Sequence, residues 1–121
     1  MPDFPLPHQH NDQQITQNLK ANLNQFIEFQ TVANIFKQLA DTSRIRIFWL
    51  LCHCEECVLN ISALMEMTSP AVSHHLRQLK NSGLVISRRD GKEVYYKAAD
   101  TAQSQLLHRM IEETMEISCP R

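Results

Sequence analysis

The sequence predicts a mainly α protein with a small β-hairpin, an α+β domain. Three observations predict it. Apolar residues recur at helical spacing through most of the chain. Only 2 Gly and 5 Pro interrupt it, three of those Pro within the first seven residues. Near the middle, one Asp-Gly step (Asp90-Gly91) joins two short β-favouring runs, the strongest local hairpin signal. At 121 residues, 43% hydrophobic and 21% charged, the chain is long enough to enclose one modest core.

Residues 1–11, with Pro2, Pro5 and Pro7 among polar neighbours, predict a disordered arm, and residues 12–121 a single domain. Asp12 reads as the N-cap of a first helix carrying Ile15, Leu19, Leu23, Phe26 and Ile27 at helical spacing. Val32, Ile35, Phe36 and Leu39 mark a second helical stretch. Asp41-Thr42-Ser43 caps a third helix from Arg44 to about Leu51, apolar on most sides and therefore central. Ile61 to Met67 follows as a short helix. Thr68-Ser69-Pro70 is a turn with an N-terminal Pro, opening a helix from Ala71 to about Asn81 whose inner stripe is Val72, Leu76 and Leu79. Gly83 ends that helix. Strands Leu84–Arg88 and Val94–Lys97 form the hairpin, linked by Arg89-Asp90-Gly91-Lys92. A last helix, Asp100 to about Ile117, carries more apolar stripe (Leu106, Leu107, Met110, Ile111, Met115) than the edge of one small domain needs. Together with the first helix it predicts a dimer interface.

The formal net charge is -1, but its distribution is uneven. Residues 69–97 carry six basic and two acidic side chains, whereas residues 1–68 carry four basic and seven acidic ones. It is the local field that attracts phosphate. Helix, tight turn, second helix and basic hairpin together place one helix in a DNA groove with a wing beside it. The groove-facing candidates are Ser69, Ser73, His74, Arg77 and Gln78, since Arg and Gln pair bidentately with guanine and adenine edges. Arg88, Arg89 and Lys92 on the wing suit phosphate or the minor groove. His75 lies beside the inner stripe and is expected to be packed and hydrogen-bonded.

Upstream of the two short helices lies Cys52-His53-Cys54-Glu55-Glu56-Cys57. On a continuous helix, residues two apart point to nearly opposite sides. Convergence of the three sulfurs therefore requires the third helix to end between Leu51 and Cys54. Thiolates favour cadmium, zinc, lead, copper(I), or three-coordinate arsenite. His8 and His10 on the arm are possible contributors. Cys54-Glu55-Glu56-Cys57 also matches the redox pattern Cys-x-x-Cys, but no strand-helix-strand context surrounds it. No signal peptide or membrane-crossing apolar run is readable, so the expected location is cytoplasmic. A cytosolic chain with four Cys predicts metal or redox chemistry rather than disulfides.

Taken together, Leu39-Ala40-Asp41-Thr42-Ser43-Arg44-Ile45-Arg46-Ile47, Cys57-Val58-Leu59-Asn60-Ile61, Ser73-His74-His75-Leu76-Arg77-Gln78-Leu79 with Ser82-Gly83-Leu84-Val85, and Arg89-Asp90-Gly91-Lys92-Glu93-Val94-Tyr95-Tyr96 resemble the ArsR/SmtB family of metal-responsive repressors. The resemblance covers roughly residues 30–117. It implies a winged helix-turn-helix homodimer on double-stranded, near-palindromic operator DNA, released when an inducer binds. Many thiol-type members carry Cys-Val-Cys followed by an acid, where this chain has Cys57-Val58-Leu59-Asn60, so the thiol site is shifted. The family's other site, Asp-x-His with a His or Glu pair, corresponds to Asp100, Ala102, Glu113 and Glu116, without its histidines. The resulting expectation is a repressor, not an enzyme, that lets go of its operator when a thiophilic ion (cadmium, zinc, lead or arsenite) binds Cys52, Cys54, Cys57 and Cys119. A thiol redox or persulfide sensor using the same cysteines is the alternative, and a purely structural zinc site is a third possibility.

Overall fold

The computed structural model describes residues 6–119. Among them the chain forms helices α1 (Gln13–Leu23), α2 (Phe26–Gln38), α3 (Thr42–His53), α4 (Val58–Met65), α5 (Ser69–Asn81) and α6 (Ala102–Ser118), with strands β1 (Glu56–Cys57), β2 (Val85–Asp90) and β3 (Glu93–Ala98). No helix among the described residues is long and apolar enough to cross a membrane. The chain divides into two units, one up to Asn34 and one from Ile35 onward. The arm expected over residues 1–11 falls partly outside the described residues. Residues 6–11 are exposed and carry no helix or strand.

In the first unit, the Asp12 side chain accepts from the Gln14 backbone N–H at 2.7 Å and caps α1 as expected. The apolar rhythm runs on through Phe26 and Ile27, but the helix breaks at Asn24, so these two residues open α2 instead. Neither α1 nor α2 contains a buried residue. Ile15, Leu19, Leu23, Phe26, Ile27, Phe29 and Val32 all stand exposed.

The second unit holds the core. Ile47, Phe48 and Leu51 of α3 pack with Ile61 and Met65 of α4, Val72, Leu76 and Leu79 of α5, Leu84, Val85 and Leu107. Each such side chain contributes about 1.5–3 kcal/mol on burial. Asp41 caps α3 by accepting from Arg44 N at 2.9 Å, and Thr68 caps α5 through Ala71 N at 3.4 Å. Helix α5 ends in a complete Schellman motif. Gly83 takes φ +80, its N–H bonds Lys80 O, and Leu84 N bonds Leu79 O, with both leucines fully buried. Helix α4 ends in the same pattern, Glu66 N to Ala63 O and Met67 N to Ser62 O, but its left-handed residue is Glu66 (φ 54, ψ 45). A side chain there costs about 1–2 kcal/mol relative to its relaxed conformation.

Two expectations about the strands are corrected. The hairpin is not alone: β1 pairs antiparallel with β3, giving a three-stranded sheet of order β1-β3-β2. The hairpin loop is also tighter than expected. Asp90 pairs with Glu93, so Gly91 and Lys92 alone turn the chain. Gly91 has φ +64 and Lys92 does not share a positive φ, the pattern of a type II′ turn with Gly at its first central position. Ser104 fastens α6 to this layer: its buried hydroxyl donates to Leu84 O at 3.1 Å, alongside Ala99 N at 2.9 Å.

Candidate functional site

Helix α5 and the β2–β3 wing form one polar face. Because Val72, Leu76 and Leu79 are buried, the helical period places His74 and Arg77 outward, and both are exposed. Ser73 is half-buried. Lys80 Nζ donates to Ser87 Oγ at 2.7 Å and fixes the helix to the wing. On the wing, Arg89 and Lys92 are exposed and have no side-chain partner among the described residues.

Three other candidates are engaged within the fold. The Ser62 hydroxyl donates to Val58 O at 2.7 Å, so at its 3.1 Å contact with Ser69 the Ser69 hydroxyl is the donor, tying the start of α5 to α4. Gln78 accepts from Arg44 Nη1. Arg44 also donates through Nε to Gln38 O at 2.7 Å, so α5 is tied to the end of α2 through one guanidinium. Arg88 is held off the wing's open side by Glu55, donating to both carboxylate oxygens at 2.9 and 2.8 Å and lying 4.8 Å from the Tyr95 ring centroid. Hydrogen bonding from Arg88 keeps the Glu55 carboxyl below its usual range. His75 is half-buried as expected. Its Nδ1, however, is buried without a hydrogen-bond partner, and desolvation pushes its pKa below 6.5.

Behind the wing, the end of α3 and the start of α6 enclose an open groove of about 410 Å³, lined in part by Cys52, His53, Cys54, Lys97, Asp100 and His108. Helix α3 runs through Cys52 to His53, two residues further than expected, with Cys54 as its extended C-cap. The end still falls inside the expected window between Leu51 and Cys54, yet Cys52, Cys54 and Cys57 do not form a group whose three sulfurs lie within 4.8 Å of one another. Cys52 is half-buried, its thiol pushed up to about 11 by desolvation and by the charge of Glu112. Cys54 is exposed and its thiol donates to Leu50 O at 3.6 Å. Burial and Glu56 push its pKa up as well. Cys57 is buried on β1, paired with Tyr95. Cys119 lines a different, apolar groove with Phe36, Leu39, Ile45, Met110, Ile111 and Met115. His8 and His10 stack on each other with ring centroids 5.8 Å apart.

Among the described residues, the His, Cys, Asp or Glu groups that place three ligand atoms within 4.8 Å of one another reduce to one: His53, His108 and Glu112. His108 Nε2 lies 3.1 Å from His53 Nε2 and 3.0 Å from Glu112 Oε1, and His53 Nε2 lies 3.3 Å from the same oxygen. Desolvation raises the Glu112 pKa, but bonds from His108, His53 and Trp49 outweigh it and hold the carboxyl low. The sequence reading passed over this cluster. Its one legible sign was the spacing His108-x-x-x-Glu112, which puts both side chains on one helical face.

Comparison with known proteins gives consistent results. The model of the family described as bacterial regulatory protein, arsR family, matches residues 41–87. The cadmium resistance transcriptional regulatory protein CadC homolog of Staphylococcus aureus is 36% identical over 88 residues, 72% of this chain and 73% of that protein. The transcriptional repressor SmtB homolog of Synechocystis is 39% identical over 87 residues, 72% of this chain and 66% of that protein. A homodimeric winged helix-turn-helix DNA-binding domain from Mycobacterium bovis, solved by NMR, superposes with TM-score 0.67 at 30% identity, covering 74% of this chain and 82% of that one. The fold is therefore a winged helix-turn-helix, with α4 and α5 as its helix pair and β2–β3 as its wing, and the chain belongs to the ArsR family of bacterial regulatory proteins.

Proposed function

We propose that this protein is a transcriptional repressor that binds operator DNA as a homodimer and releases it when an effector reaches the end of α3. One observation carries the DNA reading. Exposed His74 and Arg77 on α5 share a polar face with the unpaired wing cations Arg89 and Lys92, in a region carrying six basic and two acidic side chains. His74 and Arg77 read base edges. Arg89 and Lys92 neutralise phosphate, which supplies most of the affinity but no sequence information. The apolar groove along α6 and the bare apolar faces of α1 and α2 provide the dimer contact, in keeping with the homodimeric relative from Mycobacterium bovis.

The effector reading rests on the thiols and on one connection. Cys52 and Cys54 open onto the groove behind the wing, and Glu55, the residue after Cys54, grips Arg88 on β2. A thiophilic cation such as cadmium, zinc or lead, or arsenite, drawn to Cys52 and Cys54 displaces the segment that holds Glu55, and with it the wing. Both thiols line that groove. Within one protomer, Cys57 and Cys119 do not join them in a three-ligand group, so the rest of the coordination sphere comes from solvent or the partner subunit. Relatives named for cadmium and arsenic resistance support this class of effector. By linkage, an ion that favours the DNA-free dimer weakens DNA binding by the same factor that DNA weakens ion binding.

Two variants test the reading by fluorescence anisotropy on labelled duplexes from the upstream region of the protein's own gene. Arg77→Ala removes the preference for the cognate duplex over a scrambled one, and retained preference takes Arg77 out of the reading helix. Cys54→Ser keeps DNA binding but loses release by cadmium, and normal release places the effector elsewhere.

A further inference from the structure

We propose that His53, His108 and Glu112 form a second, thiol-free site for a divalent cation of the zinc, cobalt and nickel class, fastening the end of α3 to α6. The three ligand atoms make a nearly equilateral triangle with edges of 3.0, 3.1 and 3.3 Å. Metal bonds of about 2.0–2.1 Å at tetrahedral angles separate neighbouring ligands by about 3.3 Å. The triangle is thus one face of a coordination tetrahedron, and a shift of a few tenths of an ångström completes it.

Proton bookkeeping leads to the same place. If both imidazoles carry a proton on Nε2, two N–H groups confront each other across 3.1 Å. If neither does, three lone pairs converge on one point. If one does, a single proton must serve two acceptors. A cation at the centre satisfies all three atoms at once.

The ligands also stand on regular elements. His108 and Glu112 are one turn apart on α6, which Leu107 and the Ser104–Leu84 bond anchor to the core. The His53 ring packs at 4.4 Å from Trp49, one turn back on α3. The side chains of His53 and Glu112 are 44% and 45% exposed, leaving the fourth position to water. Imidazole and carboxylate select borderline and harder ions over the soft ones that thiolates prefer. The site therefore favours a harder range of ions than the Cys52–Cys54 pair, meeting it only at zinc, and does not depend on the thiol reading.

The test uses tag-free, reduced, metal-free full-length protein and needs no DNA, so it succeeds or fails independently of operator release. Cobalt(II) is titrated by absorption, and zinc by calorimetry and by histidine ring NMR. The expected result is a first equivalent of cobalt with visible ligand-field bands and no thiolate-to-cobalt charge-transfer band, and zinc-induced shifts of the His53 and His108 ring resonances within the first equivalent. Affinity for the first equivalent of zinc falls at least about 10-fold in His108→Ala and in Glu112→Gln, and stays at the wild-type value in Cys52→Ser and Cys54→Ser. Unmoved His53 and His108 resonances overturn the proposal in the wild-type protein, where no variant can misfold. A charge-transfer band within the first equivalent of cobalt that disappears with Cys54→Ser overturns it in favour of the thiols, and loss of that first equivalent only in a His8→Ala, His10→Ala variant overturns it in favour of the arm.

Discussion

Replacing Arg89 by Ala flattens the salt dependence of DNA binding, whereas replacing Arg88 leaves it nearly unchanged. The two residues are neighbours on β2 with the same charge, but the structure uses them differently. Arg88 is committed to both oxygens of Glu55, with Asp90 at 3.7 Å, while Arg89 is exposed without a partner. Each phosphate neutralised contributes about 0.9 to the slope of log K against log salt. A homodimer loses two such contacts in Arg89→Ala, so its slope becomes shallower by about 1.8. Between about 50 and 200 mM salt, a fourfold range, that removes about 12-fold of the wild-type loss of affinity. Arg88→Ala changes the slope by less than about half a unit, because its charge is already neutralised within the fold. The assay is anisotropy on one operator duplex at five salt concentrations. Equal flattening by both variants, or by neither, refutes the division of labour on the wing.

Three further outcomes follow from particular residues. Glu66→Gly relieves the left-handed strain at the end of α4 and, after the added freedom of the unfolded chain, raises stability by up to about 1 kcal/mol in urea unfolding; a loss of stability contradicts the strain. His75 has a folded pKa below its ordinary 6.5, so the unfolded state takes up its proton first as the pH falls. Its contribution to stability is therefore complete above about pH 6.5 and is lost as the pH drops through and below that value. Stability measured from pH 7.5 to 5 declines less steeply in His75→Gln, and an identical decline removes His75 as its source. With its thiol pushed from 9.0 to about 11, Cys52 holds about 100-fold less thiolate at neutral pH than an ordinary thiol, partly offset by greater intrinsic nucleophilicity. In a variant with Cys54, Cys57 and Cys119 replaced by Ala, Cys52 is alkylated by iodoacetamide about 10-fold more slowly than an unstructured peptide thiol, and equal rates in mass spectrometry contradict its burial.

What was legible in the sequence was what is locally encoded. Asp12 and Asp41 announce their helices because a cap acts within three residues of itself, and Pro70 announces α5 by its place in the first turn. Gly83 and Gly91 mark two of the three positive-φ positions among the described residues; the third, Glu66, carries no such mark. The break at Asn24 was not legible, because Leu23, Phe26 and Ile27 keep the apolar rhythm across it. Strand β1 was not legible either: two residues carry no period, and Glu56–Cys57 is a strand only because β3 pairs with it. The interface showed the same limit. His74 and Arg77 were readable from the period of α5, but the engagement of Gln78 by Arg44 and of Arg88 by Glu55 joins residues 34 and 33 positions apart. The His53–His108–Glu112 cluster needs α3 and α6 side by side, a product of the whole core rather than of any window of sequence.

Operator anisotropy with reduced, metal-free protein shows whether ions govern this protein's hold on DNA. Cadmium, zinc, lead and arsenite are added in turn, and then a polysulfide donor without metal. The expected result is release by at least one ion, reversed by chelator and insensitive to reductant. Release by the polysulfide alone, reversed by reductant, contradicts it and makes the cysteines a redox switch.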